Sequence, residues 1–248
     1  MSMNSVSIVK KKFYPEINEI EKHFQVSEEG ELCIAIGGDG TFLKAAMKFD
    51  CPILHIRSEE KDSLGFRADI ALSDINTVIS ELKQGHYFIE KYSKLRLTYR
   101  KKIFNVINDV VLYRASGRTI HFTVDYYDER GITQPLYPGV VRGDGVLFTK
   151  QIGSTAYNYF ANGPILFDIE AIAVTPIAAN RNFSIVSKKD FQVTVCKRQG
   201  VLEHDGVEIA KLSEGDHFTV TKSDEVVRVI RLRDREKFSS KLARLESF

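Results

Sequence analysis

The chain has little with which to cross-link itself. Its only cysteines among 248 residues are Cys33, Cys51 and Cys196. Their odd number and wide separation exclude a disulfide framework and favour a reducing, cytoplasmic setting. No two of them have metal-ligand spacing, and the histidines are scattered without a His-x-x-x-His pair. No apolar run approaches the roughly 18 residues of a membrane span, so no transmembrane helix is expected. Met1 to Lys12 lacks the apolar core of a signal peptide. Charge of one sign is missing too: 35 basic residues face 33 acidic ones. A net +2 gives no argument for a nucleic-acid or membrane partner, although it permits a polyanionic substrate. Repeats and low-complexity linkers are absent.

What is present is an ordinary globular composition, 43% hydrophobic and 27% charged, in a length that suits one large domain or two small ones. The first third alternates strand and helix signals. Val6 to Val9 reads as a strand. Pro15 opens a helical pattern with Ile17, Ile20 and Phe24 on one face. Leu32 to Ile36 is a continuous apolar run, as expected of a strand covered on both faces. A helix with Phe42, Ala45, Ala46 and Phe49 follows, then a strand over Pro52 to Ile56. Ser73 is placed to cap a helix carrying Ile75, Val78, Ile79 and Leu82, with Gly85 past its end. This rhythm predicts an α/β domain with a parallel, Rossmann-like sheet over residues 1–92.

After about Lys91 the period changes to two. Leu95, Leu97 and Tyr99 alternate with polar residues, as do Ile120, Phe122 and Val124, then Phe191, Val193 and Val195, then Phe218 and Val220. Turn signals at Asp128 to Gly131, Asp205-Gly206 and Ser213 to Asp216 separate these runs. An antiparallel β domain over 93–232 is predicted. Phe238, Leu242 and Leu245 predict a last helix within 233–248, returning to the first domain.

Three segments carry chemistry. Gly37-Gly38-Asp39-Gly40-Thr41 lies where a buried strand turns into a helix, the end of an open α/β sheet at which ligands bind. Glycine N–H groups and a helix N-terminus suit phosphate. A carboxylate there repels phosphate, so Asp39 suits a general base for a hydroxyl, or an indirect ligand of Mg2+. The alternative is a glycine turn with Asp39 as a helix cap. Asn108-Asp109 interrupts the apolar run Val106 to Leu112. An amide and a carboxylate suit an adenine edge and ribose hydroxyls; the alternative is a bulge or strand end in water. Gly143-Asp144-Gly145 precedes a strand and then Gly153-Ser154-Thr155-Ala156-Tyr157, a loop entering a helix with hydroxyls near its start. The alternative is a capped helix between two strands, which gives Asp144 no task.

These segments, in this order, with Val174-Thr175-Pro176-Ile177-Ala178 beyond them, resemble the NAD kinase family. The resemblance runs from about Ile8 to the C-terminal helix. It implies an α/β domain, an all-β, sandwich-like C-terminal domain, NAD in the cleft between them, and homodimers or homotetramers. It implies Mg2+-dependent phosphoryl transfer from ATP or polyphosphate to the adenosine ribose 2′-hydroxyl of NAD, giving NADP. By resemblance Asp39 is the catalytic carboxylate, and Gly37, Gly38, Gly40 and Thr41 cradle the donor phosphates, with no direct protein ligand for the metal. The NAD site would comprise Asp39, Gly40, Lys44, Phe66, Asn108, Asp109, Arg142, Asp144, Thr155, Ala156, Tyr157, Asn158, Phe160 and Ala178. Of these, Lys44 and Arg142 would contact phosphates and Phe66 would pack on a base, or else belong to the core.

The chain departs from the family pattern in three places. Asp109 stands where Glu is usual. Thr149-Lys150-Gln151-Ile152 stands where Ser-Thr-Pro-Thr is common. His55 to Ser63, carrying Glu59, Glu60, Lys61 and Asp62, replaces a shorter stretch; both altered segments are expected to face ligands. Lipid kinases of the diacylglycerol and sphingosine type, and some phosphofructokinases, share the Gly-Gly-Asp-Gly turn but leave the later segments unexplained. A non-catalytic NAD-binding regulator on the same fold is the remaining alternative.

Overall fold

The computed structural model describes residues 4–60, 64–233 and 236–246. Lys61, Asp62 and Ser63, from the charged loop, lie outside the described residues. The chain divides into two compact units, 1–92 with 227–248, and 93–226. The second unit therefore ends at Val226 rather than at 232. Residues 227–232, expected within the β domain, belong to the first unit.

In the first unit, Ser5–Lys10, Leu32–Ile36 and Ile53–Arg57 are parallel neighbours, with Gln25–Val26 beyond Ser5–Lys10 and Ile70–Ala71 beside Ile53–Arg57. Val229 pairs in parallel with Ile53. Every residue of Leu32–Ile36 is buried, because helices cover a parallel sheet on both faces. Ile17–His23 and Ile75–Gln84 pack beside one another, and their apolar stripes, Ile17 and Ile20 with Ile75, Val78, Ile79 and Leu82, join one core with Leu32, Ile34 and Ile36. Ile75–Gln84 ends as its sequence predicts, with Gly85 left-handed at φ 69°. Its start differs. Leu72–Asp74 forms a 3-10 turn, Asp74 occupies the cap position, and no side chain caps the helix, so Ser73 is not the cap.

The second unit is a pair of antiparallel sheets around one core. One sheet runs, in spatial order, Ile185–Ser187, Ile172–Ile177, Gly145–Thr149, Asp109–Arg114, Gly200–His204 and Val207–Leu212. In the other, Ile120–Tyr127 pairs with Phe191–Lys197, Thr133–Pro135 and Val141–Gly143, and Phe191–Lys197 pairs with the start of the strand His217–Leu232. The alternating positions Ile120, Phe122 and Val124 point inward against Val110, Leu112, Val146 and Phe148 of the facing sheet. Phe148 sits 5.7 Å from Phe191 and 6.4 Å, edge-on, from Phe218. The apolar run around Asn108 is not one strand. Lys102–Val106 and Asp109–Arg114 are separate strands, with a bend at Ile107-Asn108 between them.

Candidate active site

In the first unit the sheet delivers its chain directly into the glycine turn. Gly37 donates its N–H to the Ile56 carbonyl, 3.0 Å, and its own carbonyl accepts from Nε2 of His55, 3.0 Å. Gly37 has φ +151°, and a Cβ there would stand 2.3 Å from the Thr41 hydroxyl, so the turn needs glycine. The helix Asp39–Lys48 starts at once: the Gly38 carbonyl accepts from the N–H groups of Thr41, 2.9 Å, and Phe42, 3.3 Å. The amides of Gly37 and Thr41 are thus already engaged within the turn. Asp39 and Gly40, in the first turn, keep N–H groups with no partner inside the helix.

Asp39 is not a cap. Its Oδ2 accepts from the Phe66 N–H, 2.9 Å, and its Oδ1 from the Arg67 N–H, 3.0 Å. One bond to each oxygen fixes the carboxylate's plane and leaves each oxygen a lone pair. Two residues missed by sequence reasoning surround it. Burial pulls the His55 imidazole below its usual value, with the Asp39 charge opposing that effect. Burial likewise lowers the Arg67 guanidinium to about 10, again opposed by Asp39. Phe66 contributes its amide and not its ring: the side chain is buried, edge-on to Phe238 at 6.1 Å, so it is a core residue rather than a platform for a base. His55 is also buried, and Glu60 is tied to Lys11 and Lys12; the described part of the charged loop is folded onto its own unit. Lys44 stands exposed on the helix.

In the second unit the Ile107-Asn108 bend is built by a residue the sequence suggested only as a turn. The Asp205 carboxylate accepts from the amides of Ile107, 2.9 Å, and Asn108, 2.6 Å. The Thr149 hydroxyl donates to the Asn108 carbonyl, 2.6 Å. Gly153 lies so close that a Cβ would come within 1.8 Å of that carbonyl, so two of the three sequence segments are locked face to face. Asp109 is buried, and no hydrogen bond holds its side chain among the described residues. Burial, and then the charges of Asp205 and Glu203, push its carboxyl up to about 7. Tyr157 is half exposed and feels the Asp109 charge. Asp144 pairs with Arg114 Nε at 2.7 Å. Its amide bonds the Ile177 carbonyl, 2.9 Å, beside Ala178, which is exposed and left-handed at φ 42°.

The other expected site residues differ in burial and in their partners. Asn158 is fully buried and satisfied internally: it donates to the Pro164 carbonyl, 2.9 Å, and accepts from the Thr175 hydroxyl, 2.7 Å. It is a structural residue and not a ligand contact. Thr155 is buried, Ala156 half-buried and Phe160 exposed. The expected helix after Thr155 is one turn, Tyr157–Phe160, without a side-chain cap. Arg142 is exposed, and its amide bonds Asn180 Oδ1 at 2.8 Å. Lys150 does not face a ligand either: it is buried, with Nζ on Glu170 at 2.8 Å. Among the described residues no three His, Cys, Asp or Glu side chains group as a metal centre, and no helix is long and apolar enough to cross a membrane.

Residues 107–232, the segment holding the Asn108 bend and the Asp144 and Gly153 loops, match the family model for the ATP-NAD kinase C-terminal domain. The chain belongs to the NAD kinase family. It is 32% identical over 225 residues to an NAD kinase from Natranaerobius thermophilus, covering 85% of this chain and 76% of the relative. An NAD kinase from Clostridium beijerinckii is 30% identical over 257 residues, covering 94% and 87%. The fold agrees with that of an Archaeoglobus fulgidus NAD kinase solved with ATP, TM-score 0.78 at 18% identity, covering 98% of this chain and 99% of that one. It also agrees with that of a yeast NADH kinase solved with NADH, TM-score 0.81 at 17% identity, covering 100% and 88%. As in the family, this is a kinase with an α/β N-terminal unit and a β-sheet C-terminal unit. The similarity spans both the Gly37–Thr41 turn and the Asn108 bend, and nothing in it favours a lipid kinase or a non-catalytic regulator.

Proposed function

We propose that this kinase transfers the γ-phosphoryl group of ATP to the adenosine ribose 2′-hydroxyl of NAD, with Asp39 as the general base. The observation that carries the role is the Asp39 carboxylate, clamped by two backbone N–H groups yet retaining a lone pair on each oxygen. The 2′-oxygen forms the new bond to phosphorus as the bond to the β-phosphate oxygen breaks. The hydroxyl proton passes to Asp39, and ADP leaves with the bond electrons. Such transfers depend on alignment and charge neutralisation more than on covalent help from protein. Asp39 and Gly40 present amides to the donor, with the helix N-terminus behind them. Mg2+, carried mainly by the donor phosphates, would supply charge neutralisation, and Asp39, the single carboxylate at this turn, would hold it indirectly.

In the second unit Asn108 and Asp109 suit the adenosine portion, and Tyr157, Ala156, Thr155, Asp144 and Ala178 the rest of NAD. Phe160 and Phe167, each 62% exposed, support a homodimer or homotetramer, and three unpaired cysteines fit a reducing cytoplasm. ATP or polyphosphate, each assayed against NAD and NADH with Mg2+, tests donor and acceptor together. NADP formed from ATP and NAD is expected; binding of NAD without turnover would instead make the chain a regulator. Asp39→Asn keeps the size and removes the basicity, at the loss of one of the two backbone hydrogen bonds. It should cost roughly 10²- to 10⁴-fold in kcat while calorimetry still detects NAD binding. Near-normal turnover would exclude Asp39 as the base.

A further inference from the structure

The segment that clamps Asp39, Gly65 to Asp69, is itself gripped from behind by the C-terminal part of the same unit. The Gly65 carbonyl, at the entry to Phe66, accepts from Nη2 of Arg244, 3.0 Å. The Phe66 ring meets Phe238 edge-on, with an interplanar angle of 88°. The Arg67 carbonyl accepts from Nη1 of Arg231, 3.0 Å. The Asp69 carbonyl accepts from the Glu236 N–H, 3.1 Å, and the Asp69 carboxylate binds Lys241 and Arg231. Arg244 in turn holds both carboxylate oxygens of Glu236 at 2.6 Å.

The chemistry of these contacts is unusual for a helix that only covers a core. Lys241 is 7% exposed and Asp69 6%. Burial lowers the Lys241 ammonium and Asp69 opposes that effect. A buried ion pair adds little net stability compared with an apolar pair of the same volume, but it fixes geometry, because only one arrangement satisfies both charges. Phe238–Glu246, nine residues long, is too short to be stable alone. Its order comes from these contacts, and theirs from it.

We propose that the helix Phe238–Glu246 is a positioning element for phosphoryl transfer. Through Lys241, Arg244 and Phe238 it holds Gly65 to Asp69 in place, so that the amides of Phe66 and Arg67 set the plane of the Asp39 carboxylate. The proposal rests on the reading of Asp39 as the base. Lys241→Met tests it on the full chain, assayed well below its measured Tm. Loss of alignment should lower kcat roughly tenfold or more while KM for NAD and ATP stays within about twofold, the pattern of an interaction felt only in the transition state. Lys241→Arg should restore most of the rate. In an Asp39→Asn background, Lys241→Met should leave the residual rate unchanged, because the group it acts through is gone. A lower Tm with kcat within about twofold of the parent, or the same fractional loss in both backgrounds, overturns the proposal. If Lys241→Met yields no folded protein, Phe238→Leu goes through the same comparison. Full activity of Asp39→Asn alone rejects the base, and the positioning role with it, whatever Lys241→Met does.

Discussion

Asp109 is a residue whose charge is strongly altered by its surroundings. Its folded pKa of about 7 lies above the unfolded value of about 3.9. A carboxyl raised in this way binds its proton more tightly when folded, so its stabilising effect is complete below the unfolded value and is lost as pH rises through the folded one. Asp109 alone should therefore pull Tm down between about pH 4 and pH 7, and Asp109→Asn should remove that contribution and raise Tm relative to the parent at the alkaline end. Thermal scans of both proteins across this range decide it; parallel curves would mean that Asp109 carries no such burden. Gly40 offers the opposite contrast. A Cβ there meets nothing within 4 Å, and alanine in a helix gains about 0.5–1 kcal/mol over glycine. Gly40→Ala should leave Tm equal or higher yet raise KM for ATP, because the methyl group stands where a phosphate approaches. Unchanged ATP kinetics would remove Gly40 from the donor site.

Among the elements, the Asn108 bend depends most on close backbone approach. Gly153→Ala forces a Cβ within 1.8 Å of the Asn108 carbonyl. It should cost roughly 1–3 kcal/mol and raise KM for NAD, as measured by denaturant titration and initial rates. The strand at Leu32 to Ile36 and the alternating strands of the second unit were legible because burial on both faces, or on one, leaves a direct pattern in the chain. The glycine turn was legible because few other roles explain glycines flanking a carboxylate. Asp205 was half legible: Asp-Gly marks the hairpin, but the amides its carboxylate receives lie about a hundred residues away, and no local period reports that distance. His55 and Arg67 were missed for the same reason. Asn158 and Phe66 misled because they adjoin functional segments while their side chains turn into the core.

At the scale of the molecule, each unit has its own core. Phe148 sits where the sheets of the second unit meet, and Phe148→Ala should cost about 3–5 kcal/mol, read from urea unfolding. The first unit is assembled from two separate stretches, 1–92 and 227–248. A ribosome therefore releases the contiguous residues 93–226, able to condense as soon as they emerge, while the earlier-made residues 1–92 still lack the strand around Val229 and the helix Phe238–Glu246. The order of synthesis and the order of completion are inverted. The nascent chain carries the Gly37–Thr41 turn well before residues 93–226 are made, yet the segment that aims Asp39 receives its backing only after them.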